Sequence, residues 1–402
     1  MRSELTEAEI YAASHAECDL AAGYPRIMLP QWLNELAADG TLGEAALRDY
    51  LAGAGAGEAL DRRLLDAVLY RLGADRAHGA HGFITHSGSV ALNRALASIE
   101  AGHVVVTSPT IDIVPAFLNE FRHLTVTAVD HDPASGAYDV DRILAAVTPE
   151  TRGIVLGSPD NPMGVTLTGG QIREITGFAA EQEILVVFDQ CFATVHVPGS
   201  EVPFAPNWAA PGSQWIALWD TGKTVGLGHD KLAFLFCSAS AAPKLSDRLH
   251  VMQYDVPLRS KLVFTAMLED PRFGDYLAWF RGLLLENRVN LQAALDGAPV
   301  RIIAPGATSF MLIEVDAARA GLGTGEEAYE ALFREARVGV IPCSIFSAHG
   351  GGTFSDPMRP CFRVTLAREP ALIAEAGRRL RKVLMGEKRP EPEDELIEAH
   401  IE

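Results

Sequence analysis

Lys223 stands in Trp219-Asp220-Thr221-Gly222-Lys223-Thr224-Val225-Gly226-Leu227-Gly228-His229-Asp230-Lys231, between two apolar runs, residues 215–219 and 232–236. Both runs have the length and composition of buried strands. A lysine amine in a glycine-spaced loop between such strands loses water. That loss lowers its pKa, and the neutral amine is the form that makes a Schiff base. A solvated lysine in a polar loop is the plain alternative. Four other groups have chemistry-bearing types at similar places. Asp189 ends the apolar run 184–188, and Asn161 follows the run 153–156 inside Ser158-Pro159-Asp160-Asn161-Pro162-Met163-Gly164. Ser87-Gly88-Ser89 follows the run 82–85, and Arg363 lies within 361–366. A strand, a turn of small residues and a helix leave backbone N–H groups free for an anion. An ordinary turn with Ser as N-cap is the alternative there.

The elements that must position these groups follow from periodicity. Strands are expected at 82–85, 104–107, 124–129, 153–156, 184–188 and on both sides of Lys223. Helices are expected at 91–100, 110–121, 140–147 and 168–182. Strand and helix in alternation imply an α/β fold, a three-layer mostly parallel sheet with helices on both faces. Ligands of such sheets sit at the strand carboxyl ends, where Ser87, Asn161, Asp189 and Lys223 all fall. Residues 245–300 read as helical, with a long helix over 276–295. Strands at 300–303, 311–315 and 361–366, with helices at 326–337 and 370–384, make a smaller α+β C-terminal domain. At the other end, Thr6 and Glu9 have capping-box spacing, opening a helix expected to reach about residue 20. Gly23-Tyr24-Pro25 breaks it. Short helices at 31–38 and 42–51, a flexible link over 52–57 and a helix at 60–73 follow. The expected organisation is an N-terminal segment, 1–50, covering the site; a large domain, 51–290; a small domain, 291–386; and a charged tail, 387–402. The loop His349-Gly350-Gly351-Gly352-Thr353 is expected near the site mouth.

Composition excludes several classes. The chain has 402 residues, 48% of them hydrophobic, which is enough for a large core. A formal net charge of -18 argues against nucleic-acid partners and an anionic membrane surface. Five cysteines without a CxxC pair give no metal or disulfide framework and fit a reducing cytoplasm. No apolar run has membrane-spanning length and no secretory signal opens the chain, so a cytoplasmic protein is expected.

Together, Ser87-Gly88-Ser89, Asn161-Pro162-Met163-Gly164, Asp189, Lys223 with Lys231 eight residues on, and Phe362-Arg363-Val364 resemble fold-type-I pyridoxal-phosphate enzymes, the class I/II aminotransferase superfamily. The resemblance covers nearly the whole chain. It implies pyridoxal 5'-phosphate as cofactor, an amino acid as substrate and a homodimer with the site at the interface. By resemblance, Lys223 holds the cofactor aldehyde and then serves as acid and base at Cα, and Asp189 pairs with the pyridine nitrogen. Asn161 bonds the ring oxygen and borders the substrate. Ser87, Gly88 and Ser89 cradle the phosphate, with Thr221 beside them. Lys231 supplies charge where the family commonly has arginine. Arg363 clamps the substrate α-carboxylate in bidentate fashion.

Three cofactor-lining positions depart from ordinary aminotransferases. Phe192 replaces a tyrosine that donates to the ring oxygen, Ile111 an aromatic that stacks on the ring, and Asp220 a serine. Phe192, Asp220-Thr221-Gly222-Lys223, Pro342-Cys343, Thr6 and Glu9 are similar to the pyridoxal-phosphate-dependent arginine oxidase/hydroxylase family of enduracididine-type biosynthesis. Those enzymes pass through quinonoid intermediates to chemistry at Cβ and Cγ, with dioxygen as oxidant. Ala22-Gly23-Tyr24 stands where that family has Asp-Gly-His, which weakens the arginine assignment. Glu9 and Asp220 are still expected to face a cationic substrate end, a guanidinium, an ammonium or a sulfonium. The resemblance therefore implies an enzyme of specialised metabolism working at Cβ or Cγ by oxidation or elimination/replacement. An ordinary aminotransferase using a 2-oxo acid is the second reading. A non-catalytic regulator is the third, and the presence of Lys223, Asp189 and Arg363 together argues against it.

Overall fold

The computed structural model describes residues 3–44, 48, 55–74, 80–131, 135–227, 230–252, 256–304, 308–348, 354–356 and 359–387. The expected loop at 349–353, most of the helix at 42–51 and all but Glu387 of the charged tail lie outside these residues. Strands run β1 (Cys18–Asp19), β2 (His81–Thr85), β3 (Gly102–Ser108), β4 (Leu124–Asp130), β5 (Thr151–Gly157), β6 (Leu185–Asp189), β7 (Gln214–Asp220), β8 (Ala233–Cys237), β9 (Val300–Ala304), β10 (Phe310–Val315), β11 (Val338–Gly339), β12 (Ile341–Pro342) and β13 (Cys361–Thr365).

The large sheet has the order β2-β8-β7-β6-β5-β3-β4. Its central pairs, β7 with β6, β6 with β5, β5 with β3 and β3 with β4, are all parallel, while β8 runs against both β7 and β2. Carboxyl ends of β2, β3, β5, β6 and β7 thus share one edge. Phe188 of β6, Trp219 of β7 and Phe234 of β8 have no exposed surface. Burial of each such side chain stabilises by about 2–3 kcal/mol. A one-residue slip would exchange every side chain between the two packed faces of the sheet, so the register that carries Asp189 and Asp220 to the edge is firmly held. A smaller antiparallel sheet, β12-β13-β10-β9, lies C-terminal, with Arg363 paired to Leu312 on one side and Ile341 on the other.

Helices Gln31–Ala38 and Pro370–Leu384 have the expected bounds, and Thr168 with Gln171 forms a capping box on the helix Gly169–Glu181. Four expectations are corrected. The N-terminal helix is Glu4–His15, with Ser3 as N-cap accepting from the Thr6 N–H at 3.2 Å. Thr6 and Glu9 therefore form no capping box, and Glu9 in mid-helix is free to point elsewhere. Residues 18–19, expected to be helical, form β1, because Cys18 and Asp19 pair in parallel with β11. Residues 55–57 of the expected flexible link open the helix Gly55–Arg71. Acidic Glu58 in its first turn suits the positive helix end. The helix expected at 326–337 is α-helical over Gly325–Glu330 and widens to a π-type turn over Ala331–Glu335.

Candidate active site

Five segments bring their predicted residues to one cleft at the carboxyl edge of the large sheet. It is lined by Gly88 and Ser89 after β2, Ile111 after β3, Asn161 after β5, Asp189 and Phe192 at the end of β6, and Asp220, Lys223 and Lys231 around the β7–β8 turn. Arg363 from the small sheet and Glu9 from the N-terminal helix complete it. Ser87 and Thr221 do not line the cleft. The Ser87 hydroxyl caps the helix Gly88–Ala97, accepting from Val90 N–H at 3.3 Å. The Thr221 hydroxyl donates to Leu232 O at 3.1 Å and accepts from Leu232 N–H at 2.9 Å, which pins the lysine loop to β8.

Lys223 ends a single 3-10 turn, Thr221–Lys223, that starts at β7. A buried chain of bonds holds this turn from behind. Thr194 and Thr224 hydroxyls lie 2.7 Å apart, Trp219 Nε1–H donates to Thr194 at 3.3 Å, and Tyr276 O–H donates to Thr224 O at 2.6 Å. The expected drop in the Lys223 pKa does not occur in this site. Burial pushes it down, but Tyr24, Glu9, Asp220 and Cys191 together raise it above its ordinary value. The Asp189 carboxyl is raised, first by burial and then by Asp220, against the pull of the Cys191 backbone N–H and of Lys223. Its Oδ1 accepts from that N–H at 3.0 Å.

Asp220 is buried, and both its oxygens are on backbone donors. Oδ2 accepts from Gly88 N–H at 2.8 Å and Oδ1 from Gly222 N–H at 2.6 Å. Here the carboxylate occupies a donor expected for the phosphate rather than facing a substrate cation.

Arg363 has no exposed surface. Its Nη1–H donates to Asn161 Oδ1 at 2.9 Å, and Nη2 donates to Glu9 Oε1 at 2.9 Å and to Ala21 O at 2.6 Å. Arginine only donates, so the Asn161 oxygen must face it and the Asn161 NH₂ must face the other way. Arg363 Nε is buried without a partner. Burial pushes the guanidinium pKa down, and Glu9 opposes this. Rings of Phe310 and Phe346 lie 4.4 and 5.1 Å from its Cζ. Phe192, which cannot donate, packs edge-on against Phe310 at 5.1 Å.

Sequence reading gives Tyr24 no role at the site: Gly23-Tyr24-Pro25 reads as a helix break, and Ala22-Gly23-Tyr24 as a departure from the Asp-Gly-His of the narrower family. The Tyr24 ring centroid is 3.7 Å from Lys223 Nζ, and Lys231 Nζ donates to its hydroxyl at 2.7 Å. Buried Arg368 fixes this segment by donating to the backbone oxygens of Asp19 at 2.7 Å, Tyr24 at 2.8 Å and Ala22 at 2.9 Å. Two buried arginines five residues apart at the end of β13 were the available signal: one is spent on the cleft, the other on the segment that closes it.

Residues 77–380 match the family model for aminotransferase class I and II. The histidinol-phosphate aminotransferase of Zymomonas mobilis is 26% identical over 222 residues, 52% of this chain and 55% of that protein. The chain thus spans about half the length of such curated relatives. Among solved structures, YbdL of Escherichia coli, described with a methionine aminotransferase function, superposes with a TM-score of 0.78 at 19% identity, covering 95% of this chain and 98% of that one. MppP soaked with its product 2-ketoarginine superposes with a TM-score of 0.71 at 22% identity, covering 91% and 99%. Among the described residues no helix is long and apolar enough to cross a membrane.

Proposed function

We infer the activity from one premise: the chain belongs to the aminotransferase class I and II family, whose cofactor is pyridoxal 5'-phosphate. The observation that carries the reading is the meeting of Lys223, Asp189, Asn161 and Arg363 in one cleft. The donor set suits the cofactor: an amine for an aldehyde, a carboxylate for a protonated ring nitrogen, and an amide NH₂ turned from Arg363 for a ring oxygen. The phosphate fits only once Asp220 yields the Gly88 N–H or takes a proton. When bound, the cofactor supplies an electron sink for charge left on a substrate Cα. The chain's own residues do the rest. Arg363 binds the α-carboxylate, with Nε and the outer edge of Nη1 available as donors. Lys223 Nζ removes and returns the proton at Cα. Asp189 holds a positive charge opposite itself, and the wall of Phe192, backed by Phe310, and Ile111 excludes water.

The finer reading is an enzyme of specialised metabolism that acts on an α-amino acid and continues at Cβ or Cγ, by oxidation or by elimination/replacement. Phe192 without a phenol and Asp220 near the lysine favour it. Both features lie next to Lys223, where they alter how long a proton or charge is held. Similarity in shape to MppP, soaked with 2-ketoarginine, keeps an oxygen-dependent reaction on a cationic amino acid within this reading. Ordinary transamination is favoured by the family match and the named relatives. A homodimer is part of the proposal, checked by mass in solution.

The test is the visible spectrum of cofactor-loaded protein, in air, as amino acids are added without any 2-oxo acid. A long-lived red-shifted band supports chemistry beyond Cα and identifies the substrate. Collapse to the amine form of the cofactor, reversed by a 2-oxo acid, supports transamination and overturns the finer reading.

A further inference from the structure

We propose that Tyr24 is a positioning residue for Lys223, its ring holding the amine in place as the ammonium and so setting the pH at which the lysine becomes a nucleophile. The inference rests on the reading of Lys223 as the cofactor lysine, but its first test does not need the cofactor.

Three observations carry it. The Tyr24 ring centroid lies 3.7 Å from Lys223 Nζ, well inside the range where an aromatic face attracts a cation. The placement is built rather than incidental. Arg368 holds the Tyr24 carbonyl at 2.8 Å, Glu9 accepts from the neighbouring Gly23 N–H at 3.0 Å, and Arg26 N–H donates to Ala367 O at 3.0 Å. Finally, the lysine loop is cut to admit this segment. A Cβ on Gly222 would come within 3.1 Å of Tyr24 Cε1, and one on Gly226, at φ +62°, within 3.0 Å of Pro25 O. Both glycines permit the N-terminal segment to lie directly on the loop.

The hydroxyl is engaged separately. It accepts from Lys231 at 2.7 Å, so the two lysines sit on one aromatic ring, one against its face and one at its tip. The other charged or titratable groups around Lys223 are Glu9, Asp220, Asp189 and Cys191. The carboxylates also favour the ammonium, but Asp220 is committed to backbone N–H groups and Glu9 to Arg363. The Tyr24 ring is the nearer of two aromatic rings beside the amine, at 3.7 Å from Lys223 Nζ against 5.7 Å for Phe192. An ammonium held this way is a poor nucleophile, and loss of the ring face frees the neutral amine at lower pH.

The experiment uses cofactor-free full-length protein and the variants Tyr24→Phe and Tyr24→Leu. An amine-reactive acylating reagent is applied across pH, and labelling of the Lys223 peptide is read by mass spectrometry. Tyr24→Leu removes the ring and is expected to lower the half-labelling pH by about one unit. Tyr24→Phe keeps the ring and is expected to move it by less than half as much. An unchanged midpoint in Tyr24→Leu overturns the proposal, and so does an equal shift in Tyr24→Phe, which would assign the effect to the hydroxyl. Unfolding midpoints of all three proteins check that the fold is kept. A second readout is the rate of capture of added pyridoxal 5'-phosphate near neutral pH, expected to rise about tenfold in Tyr24→Leu through the larger neutral fraction. Failure of the wild-type protein to capture the cofactor at all would overturn the cofactor reading, while the labelling midpoints would still decide the role of Tyr24.

Discussion

Replacing Asp160 by asparagine should flatten the dependence of stability on pH. Asp160 is 2% exposed and closes the turn that presents Asn161. Its Oδ1 accepts from Val165 N–H at 2.6 Å, whereas Oδ2 is buried with no partner. Burial pushes the carboxyl from its ordinary 3.8 up to about 7, against the pull of backbone N–H groups on the same turn. The unfolded chain releases this proton near pH 4, and the folded chain keeps it to about 7. Between those values the unfolded state binds fewer protons, so stability falls as pH rises, and the loss is complete above the folded pKa. A shift of about 3 units corresponds to about 4 kcal/mol at most, a large share of the stability of an ordinary domain. The amide of D160N would be neutral throughout and could still accept from Val165. Urea unfolding of wild type and D160N near pH 5 and near pH 8 measures the difference directly, and other titrating groups cancel between the two proteins. D160N should gain on wild type by about 2–3 kcal/mol between the two conditions, since part of the effect is already lost below pH 5. Parallel pH profiles, or a growing deficit of D160N at the higher pH, would show that Asp160 does not keep its proton in the folded chain.

Arg363→Lys should raise KM for an amino-acid substrate by about tenfold to a hundredfold with a smaller change in kcat, since a point charge replaces a planar set of donors; steady-state kinetics check this. Asp220→Asn keeps an acceptor for Gly88 N–H but removes a negative charge from the expected phosphate site. Fluorescence titration should find pyridoxal 5'-phosphate bound about tenfold tighter near pH 8, and weaker binding would make the ionised carboxylate a cofactor ligand. Glu9→Gln should strengthen binding of neutral-side-chain amino acids several-fold by removing the negative charge paired with Arg363 and weaken cationic ones by about tenfold. Competition binding across lysine, arginine and leucine reads both effects.

Much of the large sheet was legible because its strands are continuous apolar runs that end on a polar residue. Residues 184–188 followed by Asp189, and 215–219 followed by Asp220, announce both the strand and its functional edge. Contacts distant in sequence were not legible. Nothing local indicates that Glu9 reaches Arg363, 354 residues away. The Thr6–Glu9 spacing misled for the same reason, since Ser3 was an equally good cap and tertiary contact claimed Glu9. The Lys223 pKa was misjudged because burial was visible in the loop's apolar flanks, whereas Tyr24, Glu9 and Asp220 around it were not assembled. Tyr24 itself lies in a turn whose glycine and proline dominate any local reading.

On this reading Lys223 carries the cofactor in a cleft shared with Asp189, Asn161 and Arg363. Borohydride reduction of protein loaded with pyridoxal 5'-phosphate, followed by peptide mapping, puts that assignment to the proof. A single phosphopyridoxyl adduct is expected on Lys223, lost in Lys223→Ala together with the visible absorbance. An adduct on Lys231 instead, or unchanged visible absorbance in Lys223→Ala, would contradict it.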